Sequence, residues 1–311
     1  MDDQVIGVDT GNRCIKTRSN VFTAGIRQFD REPPVRQDMI LYNGRYYVLS
    51  TQRNAYLQDK TEDEMYFVLA LFAIVKELKS RGISLQKNSP VPIHLGVGLP
   101  PSDVSRLKER FIQYFARDTV KFQYNGQPVS VKILDVRLLA QGYAAIASLP
   151  DAARKAAHAY IVDIGGYTTD VMSIRKGILD PKFCESLNFG MIQMYNAIIA
   201  AVQSQTGRTL EEDMIDDILR DPQNAGYAES ITAVVLQAAD QYTENFIRKL
   251  TELGIDLTIN KGVFVGGGSL NLRERIAKSP DVSDPLFCDN ISANAVGYEV
   301  FIQSYLKRKQ G

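Results

Sequence analysis

Apolar positions alternate or run together in short blocks that end in glycine or proline, and these blocks divide the chain into strands and helices. The first, around Val5–Val8, reads as a strand meeting a turn at Asp9, with Cys14–Thr17 returning as an antiparallel partner. "DMILYNGRYYVLS" predicts a hairpin, because Asn43-Gly44 adopts the positive φ angles of a type I′ turn. "DKTEDEMYFVLALFAIVKELKSRG" predicts a helix, with Thr61 as N-cap, Glu64 reaching back in a capping box and Gly82 as the stop. "VPIHLGVGLP" is a strand, and "SDVSRLKERFIQYFARD" is a helix capped by Ser102. A second Asn-Gly turn at Asn125-Gly126 gives another hairpin, ending in "VKILDVRLLAQGYAAIAS", where a strand passes into a small-residue helix suited to close packing. "LPDAARKAAH" marks a boundary. Beyond it come a strand, helices from about Met191 to Leu253, the strand "GVFVGGG" and an amphipathic helix "ISANAVGYEVFIQSYLKRK", whose basic end suits the negative C-terminal dipole.

Two of these strands end alike. "YIVDIGGYTTDV" (Tyr160–Val171) and "VIGVDTGNRCIKT" (Val5–Thr17) both run from apolar residues into Asp-x-Gly and then into polar side chains, about half a chain apart. One Asp-x-Gly is an ordinary turn. Its duplication at two strand ends points instead to a shared chemical task.

At 311 residues the chain is long enough for two core-bearing lobes. Lys plus Arg and Asp plus Glu number 36 each, so no overall field steers the molecule onto nucleic acid or an anionic membrane, and no direct contact with either is expected. The three cysteines, Cys14, Cys184 and Cys288, are far apart and not spaced with His94 or His158 for zinc, which argues against a metal cluster or disulfide framework. With no basic segment leading into an apolar one at the N-terminus, a cytoplasmic location is expected. "MYFVLALFAIV" (Met65–Val75) is too short to span a bilayer and reads as a buried helix.

Gly11, and Gly165 or Gly166, permit tight turns whose backbone N–H groups converge, and such a nest binds phosphate oxygens without a cationic side chain. Asp9 and Asp163 would be repelled by phosphate, but can hold water of a hydrated Mg²⁺ that bridges phosphates. Lys16 can place its ammonium against the phosphates, or be a surface lysine. In "VFVGGGSLNLRERI" a strand meets Gly266, Gly267 and Gly268 before a helix, so a flat ring or a phosphate can approach the backbone there. No P-loop spacing is present, and Asn271 stands where a dinucleotide fingerprint needs its last glycine. Gln141, between a strand and the Ala-rich segment, can either orient an attacking water or act as a cap or interface residue.

These motifs together resemble the actin-type ATPase superfamily. "DTGNRCIK" is similar to its first phosphate loop, "DIGGYTTDV" to the second and "VGGGSLNLRERI" to its adenosine motif. Within the superfamily, "DKTEDEMYFVLALFAIVKEL", "HLGVGLP", "LLAQGYAA" and "ISANAVGYE" resemble the ParM/StbA-type bacterial actins that segregate plasmids. The resemblance implies an α/β actin-like fold with two lobes, each built on a related mixed sheet flanked by helices, and the nucleotide in the cleft between them. The expected division is residues 1–155 plus 290–311, including a small subdomain at about 24–60, and residues 156–289. It further implies Mg²⁺ with ATP or ADP, or GTP in place of ATP, and Gln141, Asp9 and Asp163 as catalytic residues, the two aspartates serving Mg²⁺ through water. Nucleotide contacts are implied for Thr10, Gly11, Asn12, Lys16, Gly165, Gly166, Tyr167, Thr168, Gly190, Glu212, Gly266, Gly267, Gly268 and Ser269, with Asp170 a weaker catalytic candidate. Which of Glu211, Glu212 and Asp213 meets the nucleoside stays open. Two positions depart from the broader pattern: Arg13 stands where eukaryotic actins have a small residue, and Tyr167 is bulky within the second hairpin.

The implied function is a polymerising ATPase that forms homopolymer filaments and moves plasmid DNA through a ParR-like DNA-binding adaptor. The alternative is a sugar-type kinase of the same superfamily, against which stand the missing cysteine-rich zinc motif and the lack of a clear carboxylate base other than Asp163. A peptide-binding chaperone would need a further β-rich domain after the third motif.

Overall fold

A computed structural model describes residues 3–34, 36–57, 59–85, 89–149 and 151–310. Pro150, inside the expected boundary segment, lies outside them. The chain divides into two compact units, Met1–Ser148 with Ser292–Gly311, and Leu149–Ile291.

The first unit holds β1 (Gln4–Thr10), β2 (Cys14–Lys16), β3 (Val21–Thr23), β4 (Ile26–Phe29), β5 (Met39–Tyr42), β6 (Arg45–Leu49), α1 (Met65–Ser80), β7 (Val91–Leu99), α2 (Pro101–Phe115), β8 (Thr119–Tyr124) and β9 (Gln127–Ala140). Among the described residues its strands form one sheet in the order β3-β2-β1-β7-β9-β8-β5-β6-β4. β1, β7 and β9 are parallel, while β1, β2 and β3 are antiparallel. Both Asn-Gly turns form as expected: φ is 49° at Asn43, 77° at Gly44, 50° at Asn125 and 76° at Gly126. Helix α1 is buried on every side from Tyr66 to Val75, so it forms the centre of this core.

Three local expectations fail for tertiary reasons. No capping box opens α1. Thr61 donates to Asp59 Oδ1 (2.6 Å), Asp63 Oδ1 accepts the Met65 N–H (2.7 Å), and Glu64 is drawn away to Arg117 (2.6 Å). Helix α2 starts one residue before Ser102, with Pro101 at its first position and Pro100 as the flanking residue, because proline's fixed φ is already helical. The Ala-rich segment is a 3₁₀ turn, Ala144–Ser148, preceded by Gly142 at φ 70°. The Gly142 N–H donates to Asn294 Oδ1 (2.8 Å), which ties this turn to the C-terminal helix Ala293–Gln310. That helix ends in Lys307, Arg308 and Lys309, as the dipole argument predicts.

The second unit comprises α3 (Asp151–Lys155), β10 (Ala159–Ile164), β11 (Thr169–Arg175), β12 (Ile178–Leu187), α4 (Met191–Thr206), α5 (Glu212–Arg220), α6 (Glu229–Glu252), β13 (Lys261–Val265), α7 (Gly267–Asn271), α8 (Arg273–Lys278) and β14 (Leu286–Phe287). Its sheet order is β12-β11-β10-β13-β14. β10 is antiparallel to β11 and parallel to β13, and β14 continues parallel. This is the pattern of β3-β2-β1-β7-β9 over again, so the repeated sequence signal belongs to a repeated supersecondary unit. Met194, Tyr195, Ile198 and Val202 of α4 and Val235, Ala239 and Phe246 of α6 share one buried apolar cluster.

Candidate functional site

In each unit the Asp-x-Gly hairpin has the same register. Asp9 faces Lys16 and Thr10 faces Ile15 across β1 and β2; Asp163 faces Asp170 and Ile164 faces Thr169 across β10 and β11. The loops have equal length, and their first glycines meet equivalent atoms. A Cβ at Gly11 would lie 2.7 Å from the Cys14 carbonyl oxygen, and one at Gly165 would lie 2.9 Å from that of Thr168. Both turns are thus too tight for a side chain at that position.

The first unit brings together Asp9, Thr10, Gly11, Asn12, Lys16 and Gln141. Asp9 is 4% exposed. Gln141, at the end of β9, donates from Nε2 to Asp9 Oδ1 (3.0 Å), and the Lys16 ammonium lies 3.9 Å from Oδ2. Strand β9 therefore delivers Gln141 to the carboxylate with its amide oxygen still available as an acceptor. Asn12 Oδ1 accepts from the Tyr66 hydroxyl (2.8 Å), which anchors the loop to α1. The Thr10 Oγ1 is buried without a hydrogen-bond partner. Lys60, absent from the sequence reading, donates from Nζ to the Thr10 carbonyl and lies 5.2 Å from the centre of the Tyr66 ring. Burial pushes its pKa down to about 8, opposed by Asp9 and Asp103. A lysine inside the charged run "DKTEDE" carries no sign of burial in its sequence context.

In the second unit, Gly165, Gly166, Tyr167, Thr168 and Gly190 form one packed arrangement. The first amides of α4 bond to the loop, Met191 N–H to the Gly165 carbonyl (3.1 Å) and Ile192 N–H to that of Gly166 (2.8 Å). Those bonds satisfy helix-end donors that otherwise lack partners. The Gln193 Oε1 accepts the Gly190 N–H (3.1 Å), and the Tyr242 hydroxyl donates to the Gly190 carbonyl (2.8 Å). A Cβ at Gly190 would stand 2.4 Å from the Tyr167 carbonyl carbon, so the loop backbone lies this close to α4 because residue 190 has no side chain. Asp163 is 5% and Asp170 4% exposed, and Asp170 Oδ1 accepts from Ser186 (2.6 Å).

The third motif adjoins this hairpin. Gly266 has φ 84°, and a Cβ there would lie 2.5 Å from Asp163 Oδ1. Gly267, Gly268 and Ser269 fall within α7, where the buried Ser269 hydroxyl donates to the Gly266 carbonyl (2.8 Å) and braces the turn. Asn271 Nδ2 donates to Asp216 Oδ1 (2.9 Å), which also accepts from Tyr195 (2.5 Å), so α5 is held against the motif. Of the three acidic residues at the start of α5, Glu211 and Asp213 are exposed and Glu212 is half-buried. Beside Leu270 and Asn271 opens a cavity of about 880 Å³, with Leu219, Leu236 and Ile247 among its apolar lining and Arg220, Glu244 and Arg273 among its charged residues.

Among the described residues no group of three or more His, Cys, Asp or Glu could hold a metal unaided. Each hairpin instead contributes one buried aspartate from the end of a central strand. A carboxylate of this kind is a ligand type that Mg²⁺ accepts, alone or with one other, the ion keeping several waters and taking phosphate oxygens besides.

Comparison with known proteins agrees with this architecture. The model of the actin-like protein N-terminal domain matches residues 6–143, and that of the archaeal MreB-like actin homologue C-terminal region matches residues 161–278. The chain belongs to the actin-like superfamily. A ParM from Clostridium botulinum, solved as a 15-stranded filament, superposes with a TM-score of 0.75 at 19% identity, over 98% of this chain and 100% of that one. An archaeal actin homologue gives 0.74 at 18% identity, over 97% and 99%, and was also solved in complex with ADP. A Bacillus thuringiensis ParM with ATP gives 0.68 at 14% identity, over 98% and 100%. No curated protein matches. Among the described residues no helix of this actin-like chain is long and apolar enough to cross a membrane.

Proposed function

We propose that this actin-like protein binds ATP with Mg²⁺ and hydrolyses it to govern the growth of homopolymer filaments, and that the filaments move plasmid DNA through a ParR-like DNA-binding adaptor in the cytoplasm. The observation that carries the nucleotide reading is the duplicated hairpin, with Asp9 and Asp163 at equivalent register positions and glycine at each tight corner. The structures of a ParM filament and of a ParM with ATP support the extension to polymer and nucleotide.

In this reading the backbone amides of the Gly11 and Gly165 loops, including those of Thr10, Asn12, Gly166, Tyr167 and Thr168, take phosphate oxygens, and Lys16 adds charge. Asp9 and Asp163 would hold Mg²⁺ through water, and the ion would supply charge neutralisation on the phosphates. Gln141 is oriented by its bond to Asp9, and its amide oxygen accepts a hydrogen bond from the attacking water, which fixes the line of attack. Gly266, Gly267, Gly268 and Ser269 form the nucleoside side, with Glu212 the member of its acidic trio that meets the nucleoside. Gly190 keeps the second loop slim, and Asp170 supports Asp163 from the facing strand.

Assembly follows head-to-tail contacts that do not close into a ring, with hydrolysis changing the stability of each contact. Light scattering and pelleting of the purified protein with Mg²⁺-ATP, alongside phosphate release, test this. ATP-dependent polymer that disassembles as phosphate is released is expected. Sugar-dependent ADP production without polymer would overturn the filament reading in favour of a kinase.

A further inference from the structure

Lys60 is held in an unusual state for a lysine. It is 6% exposed, its ammonium donates to the Thr10 carbonyl, and a second side of it faces the Tyr66 ring. Among the described residues no carboxylate lies within ion-pair distance of it. Asp9 and Asp103 attract it from further off. A buried ammonium with three N–H donors, a single carbonyl acceptor and an aromatic face is under-compensated, and burial of this kind is costly unless an anion completes it. The residue that accepts from Lys60 carries a second donor in the same condition: Thr10 Oγ1 is buried and unpartnered. Two under-satisfied donors meet at the last residue of β1, at the carboxyl end of a parallel β1-β7-β9 set, where α/β sheets take their ligands. What would satisfy both is an acceptor-only group of negative charge.

We propose that Lys60 is a phosphate-binding residue of the first unit, its ammonium and the Thr10 hydroxyl together engaging oxygens of the nucleotide's polyphosphate beside the Gly11 loop. This rests on the nucleotide reading above and adds to it a cation from outside both hairpins. Lys60 lies in the segment leading into α1, whose Tyr66 also holds Asn12. Phosphate binding at Lys60 therefore couples the approach to α1 to the occupancy of the loop.

The test compares ATP, ADP and adenosine binding by calorimetry in the wild type, K60M, K60R and T10V. Methionine keeps the length and apolar packing of the buried stem, and T10V removes the hydroxyl at nearly constant volume. Loss of a hydrogen bond to a charged group predicts ATP and ADP affinities lower by about tenfold to a hundredfold in K60M. Adenosine affinity should be unchanged, and K60R should recover part of the loss. T10V should weaken ATP but not adenosine while unfolding no more easily than wild type, which keeps the proposal testable if K60M does not fold. ATP affinity unchanged in K60M or T10V would overturn it, as would adenosine and ATP weakened in the same proportion, the mark of a purely structural latch. A wild-type protein that binds no ATP would overturn the nucleotide reading itself, a separate result from a wild type that binds and a K60M that binds equally well.

Discussion

Gly190→Ala isolates the packing of the second hairpin on α4. The added Cβ would stand 2.4 Å from the Tyr167 carbonyl carbon and 2.6 Å from the carbonyl oxygens of both Gly166 and Tyr167. Carbon atoms in contact rest about 3.5–4.0 Å apart, so loop and helix must separate by roughly 1 Å. All three obstructing atoms are backbone and cannot rotate aside. The separation stretches the Met191-to-Gly165 and Ile192-to-Gly166 bonds, now 3.1 and 2.8 Å. Overpacking costs about 1–3 kcal/mol and each weakened hydrogen bond about 0.5–1.5 kcal/mol. A loss of about 2–6 kcal/mol is therefore expected for the second unit. Gly267→Ala is the control, because a Cβ there meets nothing within 4 Å; its cost should stay within about 0.5 kcal/mol. Urea unfolding of both variants, followed by ATP titration, reads the effect. Gly190→Ala should unfold at lower urea and bind ATP more weakly, with Gly267→Ala close to wild type in stability. Equal stability of the two variants would refute the packing argument. A destabilised Gly190→Ala with unchanged ATP affinity would separate this loop from the nucleotide.

Gln141→Ala should slow phosphate release on the order of a hundredfold while nucleotide binding and polymers persist; loss of binding instead would mark the Gln141–Asp9 bond as structural. Gln141→Glu should be worse, since it places a second carboxylate against Asp9 Oδ1. Glu77, fully buried, accepts from Thr17 (2.6 Å), Ser19 N–H (3.0 Å) and Arg81 (2.9 Å) at the turn following β2. Burial alone would raise its pKa, but these bonds and the Arg81 charge hold it below the ordinary glutamate value of 4.5. Its contribution is complete above that unfolded value and is lost as pH falls through the lower folded one. Glu77→Gln should cost about 2–3 kcal/mol at neutral pH and flatten the acid limb of a stability-versus-pH curve; an unchanged acid limb would show that another carboxylate governs it.

The parts of this fold legible in the sequence are those where local chemistry and tertiary need coincide. Asn43-Gly44 and Asn125-Gly126 make their hairpins because the backbone angles are intrinsic to those pairs. The apolar run after Met65 is buried on all sides because no face of it carries charge. The Asp-x-Gly hairpins stand out through repetition, and the structure gives them a common register. The caps were illegible because distant residues decide them: Glu64 fits a capping box in sequence, but Arg117, which lies 3.7 Å from the Phe67 ring centre, claims it. Edge strands such as β3 and β14 are too short to show alternation. Lys60 was hidden for a different reason. Its neighbours are charged, so the run reads as solvent-facing, and only the folded chain brings its ammonium to Thr10.

The two hairpins share geometry but not charge. Where Asp9 faces Lys16, Asp163 faces Asp170. The first hairpin therefore balances a carboxylate with an ammonium, to which Lys60 adds a second cation, while the second places two buried carboxylates opposite one another. An anion can meet the first through side chains. At the second, the two carboxylates would repel it, and the loop's backbone N–H groups are uncharged donors that an anion can meet. The loop compositions follow from that difference: the first carries Asn12 and Arg13, and the second has consecutive glycines at 165 and 166. Gly190 lets that second loop lie directly on α4. Duplication of one supersecondary unit thus supplies the same turn twice, and substitution at a few register positions makes one copy cationic and the other anionic.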